Sequence, residues 1–391
     1  MTIKSHSLRI LGFCTPLGLA ASLFLAGCGD GSGGGGGGAG DTIKVGEFAS
    51  LTGKEATFGQ SSHNGTQIAV DEINAAGGLA GKKIKLLTED TQSKAGESQT
   101  VVNKLVSRDG VIAVLGEVAS SRSMEAAPVC QAAKIPMISP SSTNPKVTET
   151  GDYIFRVCFI DPFQGTVMAN FAAKDLKAKR VAVFTDAKSD YSKGLAKFFK
   201  EQHLKNGGEI VAELDFNGGD SDFNAQLTTI KAAKPEAIFL PGYYTDAAVI
   251  CIQAKQLGIT VPLFGGDGWE SEKLVEIGKD AVEGQYFSTH YHPDVGSDKS
   301  RQFVAAYKRA YGSAPDAMAA LGYDSMMVLA DAIKRCGSTD STKIRDALAA
   351  TKDYDAVTGK ITINAQRDAT KAAVIIKVEK GEFKYVETIA P

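Results

Sequence analysis

Two loops rich in hydroxyl side chains follow neighbouring predicted strands. Ser120 comes after the predicted strand 111–116 and opens a predicted helix, and Ser141 to Thr143 come after the predicted strand 137–139. Free backbone N–H groups and the helix dipole favour an anion at a helix N-terminus, and hydroxyls add donors without charge. The two loops therefore predict a site for a small carboxylate. The alternative is that Ser120 only caps its own helix.

A second set of residues offers a negative charge and aromatic rings. Asp267 lies in a glycine-rich turn after a predicted strand, Tyr191 opens a predicted helix, and Tyr243 follows another strand. A carboxylate at a strand end can bind an ammonium group through a charge-assisted hydrogen bond. Aromatic faces can cover an apolar group or attract a cation. The alternative is that Asp267 only shapes its turn, but together the two sets predict a receptor for a zwitterion.

The elements that carry these residues belong to two stretches of the chain, and in each stretch predicted strands alternate with predicted helices. The pattern predicts an α/β fold with two doubly wound parallel-sheet lobes. Three predicted helices after residue 284 return the chain to the first lobe, so the hinge is crossed more than once. Ligands bind beyond the carboxyl ends of parallel strands, which places the site between the lobes. The expected lobes are residues 41–161 with 288–364, and 162–287 with 365–391.

The first residues have the layout of a secretory signal peptide. Lys4 and Arg9 precede an apolar run from Ile10 to Ala26. Such a segment is removed from the mature protein, and we expect it at residues 1–27. The alternative is a transmembrane helix, but a run of about 17 residues falls short of the ~20 that span a bilayer.

Cys28 follows this leader and resembles the cysteine of the bacterial lipobox, which is lipidated and becomes the first mature residue. Nine of the twelve residues from Gly29 to Gly40 are glycine. Such a segment is a flexible coil, so residues 28–40 are expected to tether the folded part to a membrane. More than one acyl chain is needed for a stable hold. The expected location is the periplasm or the cell surface.

The composition argues against several other classes of protein. The net charge of −2 becomes −4 once the leader and its two positive charges are removed, and without a basic patch no nucleic-acid partner is expected. No G-x-S-x-G motif and no P-loop is present, so neither an enzyme nor a cofactor is expected. His290 and His292 lack a third ligand, so no metal site is expected. Beyond Cys28, no zinc-like spacing exists and we expect free buried thiols: Cys130, Cys158, Cys251 and Cys336.

Five segments carry a pattern typical of one known family. They are IKVGEFASLTG with TFGQSSHNGTQIAVDEINAAGGLAGKKI, GEVASSRSMEAAPVCQAAKIPMISPSSTNP, YIFRVCFIDPFQG, PGYYTDAAVICIQAKQLGI and GGDGW. Together they resemble the leucine/isoleucine/valine-binding proteins, the extracytoplasmic receptors of ABC importers. The resemblance covers nearly the whole chain after residue 40. It implies a type I periplasmic-binding fold, an amino acid ligand and an ABC permease as partner.

The resemblance also implies roles for individual residues. Ser120 and Thr143 would bind the ligand carboxylate through their hydroxyls, with help from the backbone N–H of Ser141. The backbone carbonyl of Ser141 and the carboxylate of Asp267 would bind the ammonium group. Aspartate stands here where the family also has glutamate, and its shorter side chain would shift the ammonium or admit a water.

Three aromatic residues complete the implied site. Tyr191 and Tyr243 would close over the ligand from the second lobe, and Phe58 stands where the family often has a tyrosine that lines the side-chain pocket. Without a hydroxyl, Phe58 makes that wall more apolar. The expected function is capture of a branched-chain or other aliphatic amino acid by a monomer that delivers it to the permease. The alternatives are a sensor ectodomain-like protein that binds another small amino acid or amide, and an enzyme of unknown type.

Overall fold

Parallel strands form the centre of both lobes in the computed structural model, which describes residues 42–391. The first sheet has five parallel strands in the order β2-β1-β3-β4-β5. Its strands are β1 (Thr42–Ala49), β2 (Lys83–Asp90), β3 (Val114–Leu115), β4 (Met137–Ser139) and β5 (Ile154–Arg156).

The second sheet has seven strands. Five are parallel, β6 (Arg180–Asp186), β7 (Glu209–Phe216), β8 (Ala237–Phe239), β9 (Leu263–Gly265) and β10 (Tyr286–Thr289), and two antiparallel strands extend it, β14 (Ala373–Glu379) and β15 (Glu382–Ile389). The order is β15-β14-β10-β9-β8-β6-β7. β6 is buried after its first residue, as expected for a parallel strand that helices cover on both faces.

Twelve α-helices connect and cover the strands of the described part. They are α1 (Ala56–Ala75), α2 (Glu97–Lys104), α3 (Ser120–Ala133), α4 (Lys146–Glu149), α5 (Asp161–Lys174), α6 (Asp190–Lys205), α7 (Asn224–Ala232), α8 (Tyr244–Gln256), α9 (Glu272–Gly278), α10 (Asp298–Tyr311), α11 (Ala317–Cys336) and α12 (Ser341–Ala349). The α/β fold with parallel sheets, predicted from the alternating pattern, is confirmed.

The helices after β10 pack on the first sheet. Phe303 of α10, Leu329 of α11 and Ile344 of α12 share one buried core with Val45 of β1 and Ile138 of β4. We call this body the first lobe and the body built on the second sheet the second lobe. The return of the chain to the first lobe follows from these contacts.

The chain passes between the lobes at three places. The first passage joins β5 to α5 and the second joins β10 to α10. The third follows a small antiparallel sheet of β11 (Tyr354–Ala356), β12 (Gly359–Ile363) and β13 (Ala369–Thr370). Ala369 packs in the core of the first lobe and Ala373 in that of the second, so the third passage lies between them, a few residues after the expected division at 364/365. The proposed lobe boundaries stay a prediction.

The proposed signal peptide, Cys28 and the tether lie outside the described residues. Within residues 42–391, no helix is both long and apolar enough to cross a bilayer. Four cysteines in this part of the chain are free thiols; three are buried and Cys336 is partly exposed.

Candidate functional site

The two hydroxyl-rich loops meet at the carboxyl ends of β3 and β4. The hydroxyls of Ser123 and Ser142 are 2.8 Å apart, and Ser142 Oγ also donates to the carbonyl of Glu117 at 2.8 Å. The backbone N–H of Asn144 donates to Ser120 Oγ at 3.2 Å. No side chain caps the start of α3, so Ser120 joins the two loops rather than capping its helix.

Ser141 and Thr143 are buried in the second of these loops. Ser141 Oγ lies 3.4 Å from Nε2 of His290. The carbonyl of Thr143 accepts from the backbone N–H of Asp161 at 2.9 Å, but its hydroxyl has no hydrogen-bond partner among residues 42–391. A buried hydroxyl without a partner costs free energy, so a ligand that bonds it would recover that cost.

A fully buried arginine fixes the shape of this loop. The guanidinium of Arg156 donates to the carbonyl of Asn144 and to Thr148 Oγ1, both at 2.9 Å. Its Nε also lies 2.7 Å from a carboxylate oxygen of Asp368, near the third passage between the lobes. A planar guanidinium carries five N–H donors in a fixed fork, so it can hold several loop oxygens at once in one geometry.

Asp267 projects from a short 3₁₀ turn that follows β9 in the second lobe. Its Oδ1 accepts from Gln164 Nε2 at 2.9 Å, and its Oδ2 lies 3.0 Å from His290 Nε2. Asp267 is only 4 % exposed, so its carboxylate does not merely shape a surface turn. A Cβ atom on Gly266 would come within 2.6 Å of the Tyr191 hydroxyl, so glycine is needed where this turn meets α6.

Aromatic rings from both lobes pack beside Asp267. Tyr191 and Tyr243 stack with ring centroids 5.3 Å apart, and the hydroxyl of Tyr191 accepts from the N–H of Gly268 at 3.1 Å. Phe58 of the first lobe meets Tyr243 edge-on at 5.7 Å and Tyr244 at 4.9 Å. Burial raises the pKa of Tyr191 and Tyr243 well above the usual range, so both hydroxyls stay neutral.

Three polar residues beside the predicted ones were missed by sequence reasoning. Gln164 and His290 both hydrogen-bond Asp267. Asp161 begins α5, and neither of its carboxylate oxygens has a hydrogen-bond partner among the described residues. Burial, assisted by the charge of Asp267, raises the pKa of Asp161 to about 8. The nearby Thr143 hydroxyl counteracts part of this shift, although no hydrogen bond joins the two groups.

Hydrogen bonds between the lobes surround these residues. Ser121 Oγ lies 3.0 Å from a carboxylate oxygen of Asp190, and Asn144 Nδ2 donates to the carbonyl of Asp190 at 2.7 Å. The hydroxyls of Thr57 and Ser271 are 2.8 Å apart. A cavity of about 490 Å³ opens beside this rim and is lined in part by Tyr243 and Ser121. The lobes are therefore in contact on more than one side of the site.

The two histidines of the His290-Tyr291-His292 segment have separate environments. His290 bonds Asp267, whereas His292 Nε2 lies 3.2 Å from the backbone carbonyl of Phe383. Across residues 42–391, no three His, Cys, Asp or Glu side chains are grouped so that they could hold a metal ion. The site thus combines neutral hydroxyl donors and Phe58 of the first lobe with Asp267 and two tyrosines of the second.

Comparison with known proteins places this chain in a family. Residues 42–382 match the periplasmic binding protein family. The chain belongs to this family. Its members are solute-binding proteins rather than enzymes, which confirms the prediction that this periplasmic binding protein is not an enzyme.

Individual relatives confirm the resemblance inferred from the sequence motifs. A Leu/Ile/Val-binding protein of Rhizobium johnstonii is 31 % identical over 88 % of this chain and 94 % of its own length. The crystal structure of a leucine-binding protein from Thermotoga maritima is 41 % identical, covers 89 % of this chain and 99 % of its own, and superposes with a TM-score of 0.87. A branched-chain amino acid transporter substrate-binding protein of Streptococcus pneumoniae, solved in complex with isoleucine, is 39 % identical over 90 % of this chain and its full own length, with a TM-score of 0.85.

Proposed function

We propose that this periplasmic binding protein is a lipid-anchored receptor that captures a branched-chain or other aliphatic amino acid between its lobes and delivers it to an ABC permease. The observation that carries the proposal is the burial, at one place, of hydroxyl donors from one lobe and an aspartate from the other. Ser120, Ser141 and Thr143 supply the donors and Asp267 the carboxylate. The solved relative with bound isoleucine supports this ligand class.

Each group of an aliphatic amino acid has a counterpart in the site. The ligand carboxylate accepts from the hydroxyls of Ser120 and Thr143, and Thr143 Oγ1 thereby gains the hydrogen bond that it lacks in the protein alone. The ammonium group donates to Asp267 and to the carbonyl of Ser141. The side chain packs against Phe58, Tyr191 and Tyr243, whose rings exclude water and so strengthen the charged contacts.

Binding and closure of the lobes depend on each other. A ligand shifts the equilibrium between open and closed forms only through contacts that it gains in the closed form. The hydroxyls that bind the ligand carboxylate and the aspartate that binds the ligand ammonium belong to different lobes. Both ends of the ligand are therefore satisfied only when the lobes meet. The permease is then expected to bind the closed form.

The test is a thermal-shift screen of the full-length chain against the twenty amino acids, followed by calorimetry with leucine, isoleucine and valine. We expect the largest stabilisation from these aliphatic ligands. Asp267→Asn removes the charge that faces the ammonium in a desolvated site, so affinity should fall by about 2–5 kcal/mol. Asp298→Asn is the control, because Asp298 has a side chain that is 87 % exposed on α10. Unchanged binding in the Asp267 variant would refute the assigned role.

A further inference from the structure

We propose that His290 is a positioning residue that holds Asp267 toward the ligand ammonium and links it to the hydroxyl loop of the first lobe. The inference deepens the proposed function and rests on it. His290 follows β10 directly, on the second passage between the lobes. Its Nε2 nitrogen lies near groups from both lobes, Ser141 of the first and Asp267 of the second.

Hydrogen-bond chemistry fixes the direction of the contact. His290 Nε2 lies 3.0 Å from Asp267 Oδ2 and 3.4 Å from Ser141 Oγ. An ionised carboxylate only accepts hydrogen bonds, so the Nε2 nitrogen carries the proton and donates it. Gln164 occupies the other oxygen of Asp267, at 2.9 Å. Each carboxylate oxygen thus has one protein donor and keeps a further lone pair for the ammonium group.

The ring of His290 is held in one orientation. It is 2 % exposed and stacks on Phe159, with ring centroids 3.7 Å apart and planes inclined by 29°. Phe159 belongs to the first passage between the lobes and His290 to the second. The ring that donates to Asp267 is therefore packed against a second hinge segment. A donor held in this way reduces the conformational freedom that the Asp267 carboxylate must lose when the ligand binds.

Burial keeps His290 neutral, and the charged groups around it act in both directions. Burial lowers its pKa below the usual range, and the positive charge of Lys371 on the third passage acts in the same direction. Asp267 opposes this shift. Asp161 and Cys158 also lie close to this cluster, and burial raises the pKa of each, to about 8 and about 12. A neutral His290 leaves the charge of Asp267 for the ligand, whereas a protonated one would neutralise it.

Two substitutions test the hydrogen-bond donor of His290 and its ring separately. His290→Phe keeps a ring beside Phe159 but removes the donor, and we expect leucine affinity of the full-length chain at pH 7.5 to fall at least tenfold. His290→Gln places an amide donor near the position of Nε2 and should stay within about threefold of the wild type. His203→Gln in α6, remote from Asp267, is the control. Wild-type affinity in the Phe variant would overturn the proposal.

The pH dependence supplies a readout that a purely structural role would not move. As the pH falls below the pKa of His290, proton and ammonium compete for Asp267, so leucine affinity should drop by up to tenfold per pH unit. The Gln variant cannot take up this proton, so its affinity profile between pH 5 and 7.5 should be flatter. Identical profiles in the two proteins would contradict the assignment.

A measurement without ligand keeps the two proposals distinguishable. Asp267 raises the pKa of His290, so Asp267→Asn should lower that pKa in an NMR titration of the ligand-free chain, with the His290 signal assigned by its loss in His290→Phe. An unchanged His290 pKa overturns the link between the two residues. If the link is present but none of the twenty amino acids binds, the proposed function fails instead.

Discussion

Asp161 is the residue in the site whose ionisation the fold opposes most clearly. Both of its carboxylate oxygens are buried without a hydrogen-bond partner in the described part of the chain, and burial raises its pKa to about 8. In an unfolded chain, an aspartate has a pKa of about 3.9. Between these values the folded state holds a proton that the unfolded state has lost. The free energy of unfolding therefore falls as the pH rises through this window.

Asp161→Asn should remove this dependence. We expect the ligand-free variant to gain stability relative to the wild type as the pH rises from 5.5 to 7.5, by roughly 1–3 kcal/mol. Urea unfolding at the two pH values measures the difference. Asp298→Asn, at an exposed position of α10, should show no comparable trend. A stability difference that is the same at both pH values would contradict the raised pKa.

At the scale of elements, α1 and α11 form the tightest helix contact of the first lobe. A Cβ atom on Gly65 would lie 1.8 Å from the carbonyl oxygen of Ala319, and one on Gly322 would lie 2.1 Å from that of Ser62. Thr66 Oγ1 reaches the carbonyl of Gly322 at 3.3 Å. Only glycines permit this approach, and the helix that returns to the first lobe is attached through it.

Gly65→Ala should push the two helices apart. Inserting a methyl group against backbone in a packed core costs about 1–3 kcal/mol, and here the obstacle cannot rotate away. Chemical unfolding should show a lower midpoint with unchanged cooperativity. Asp71→Ala on the exposed face of α1 is the matched control and should stay within about 0.5 kcal/mol. Equal stability of the Gly65 variant and the wild type would show that the helices can separate without cost.

The larger elements were predictable from sequence because each has a hydrophobic pattern of its own. The buried run of β6 and the apolar face of α1 are visible without knowledge of any neighbour. Some short elements were not: the pattern predicts the three-residue β4 but not β5, β11 or α9. A strand of three residues has no period of its own, and pairing with the adjacent strand holds it in place. The predicted strand 111–116 shrinks to Val114–Leu115 for the same reason, since only those residues pair with β4.

The residues of the candidate site also fall into those that the sequence could indicate and those that it could not. Side chains at the ends of predicted strands, such as Ser120 and Asp267, could be proposed because topology brings strand ends together. His290, Asp161 and Arg156 were not assigned to it, since their roles depend on which distant groups surround them. Arg156 is fully buried although it is charged, and only the structure reveals the loop carbonyls and the Asp368 carboxylate that stabilise it.

For the whole molecule, residues 42–391 are proposed to bind the ligand, and residues 1–41 are proposed to decide location. We expect the mature protein to begin at Cys28 with lipid attached, so that it fractionates with membranes. Cys28→Ala should release the protein or leave it unprocessed, without changing leucine affinity. Cys14→Ala, in the leader, is the control and should remain anchored. Intact-mass measurement decides the question: a mature chain that begins elsewhere, or that lacks acyl groups, would refute the anchor.

The free thiols of the described part have a consequence for life in an oxidising compartment. Burial raises the pKa of Cys130, Cys158 and Cys251 to about 12, so these sulfurs carry almost no thiolate, the form that reacts. Folding of this part of the chain thus needs no disulfide oxidoreductase, and its stability does not follow the redox poise of the surroundings. We therefore expect the core of residues 42–391 to fold alike in aerated and in anoxic surroundings.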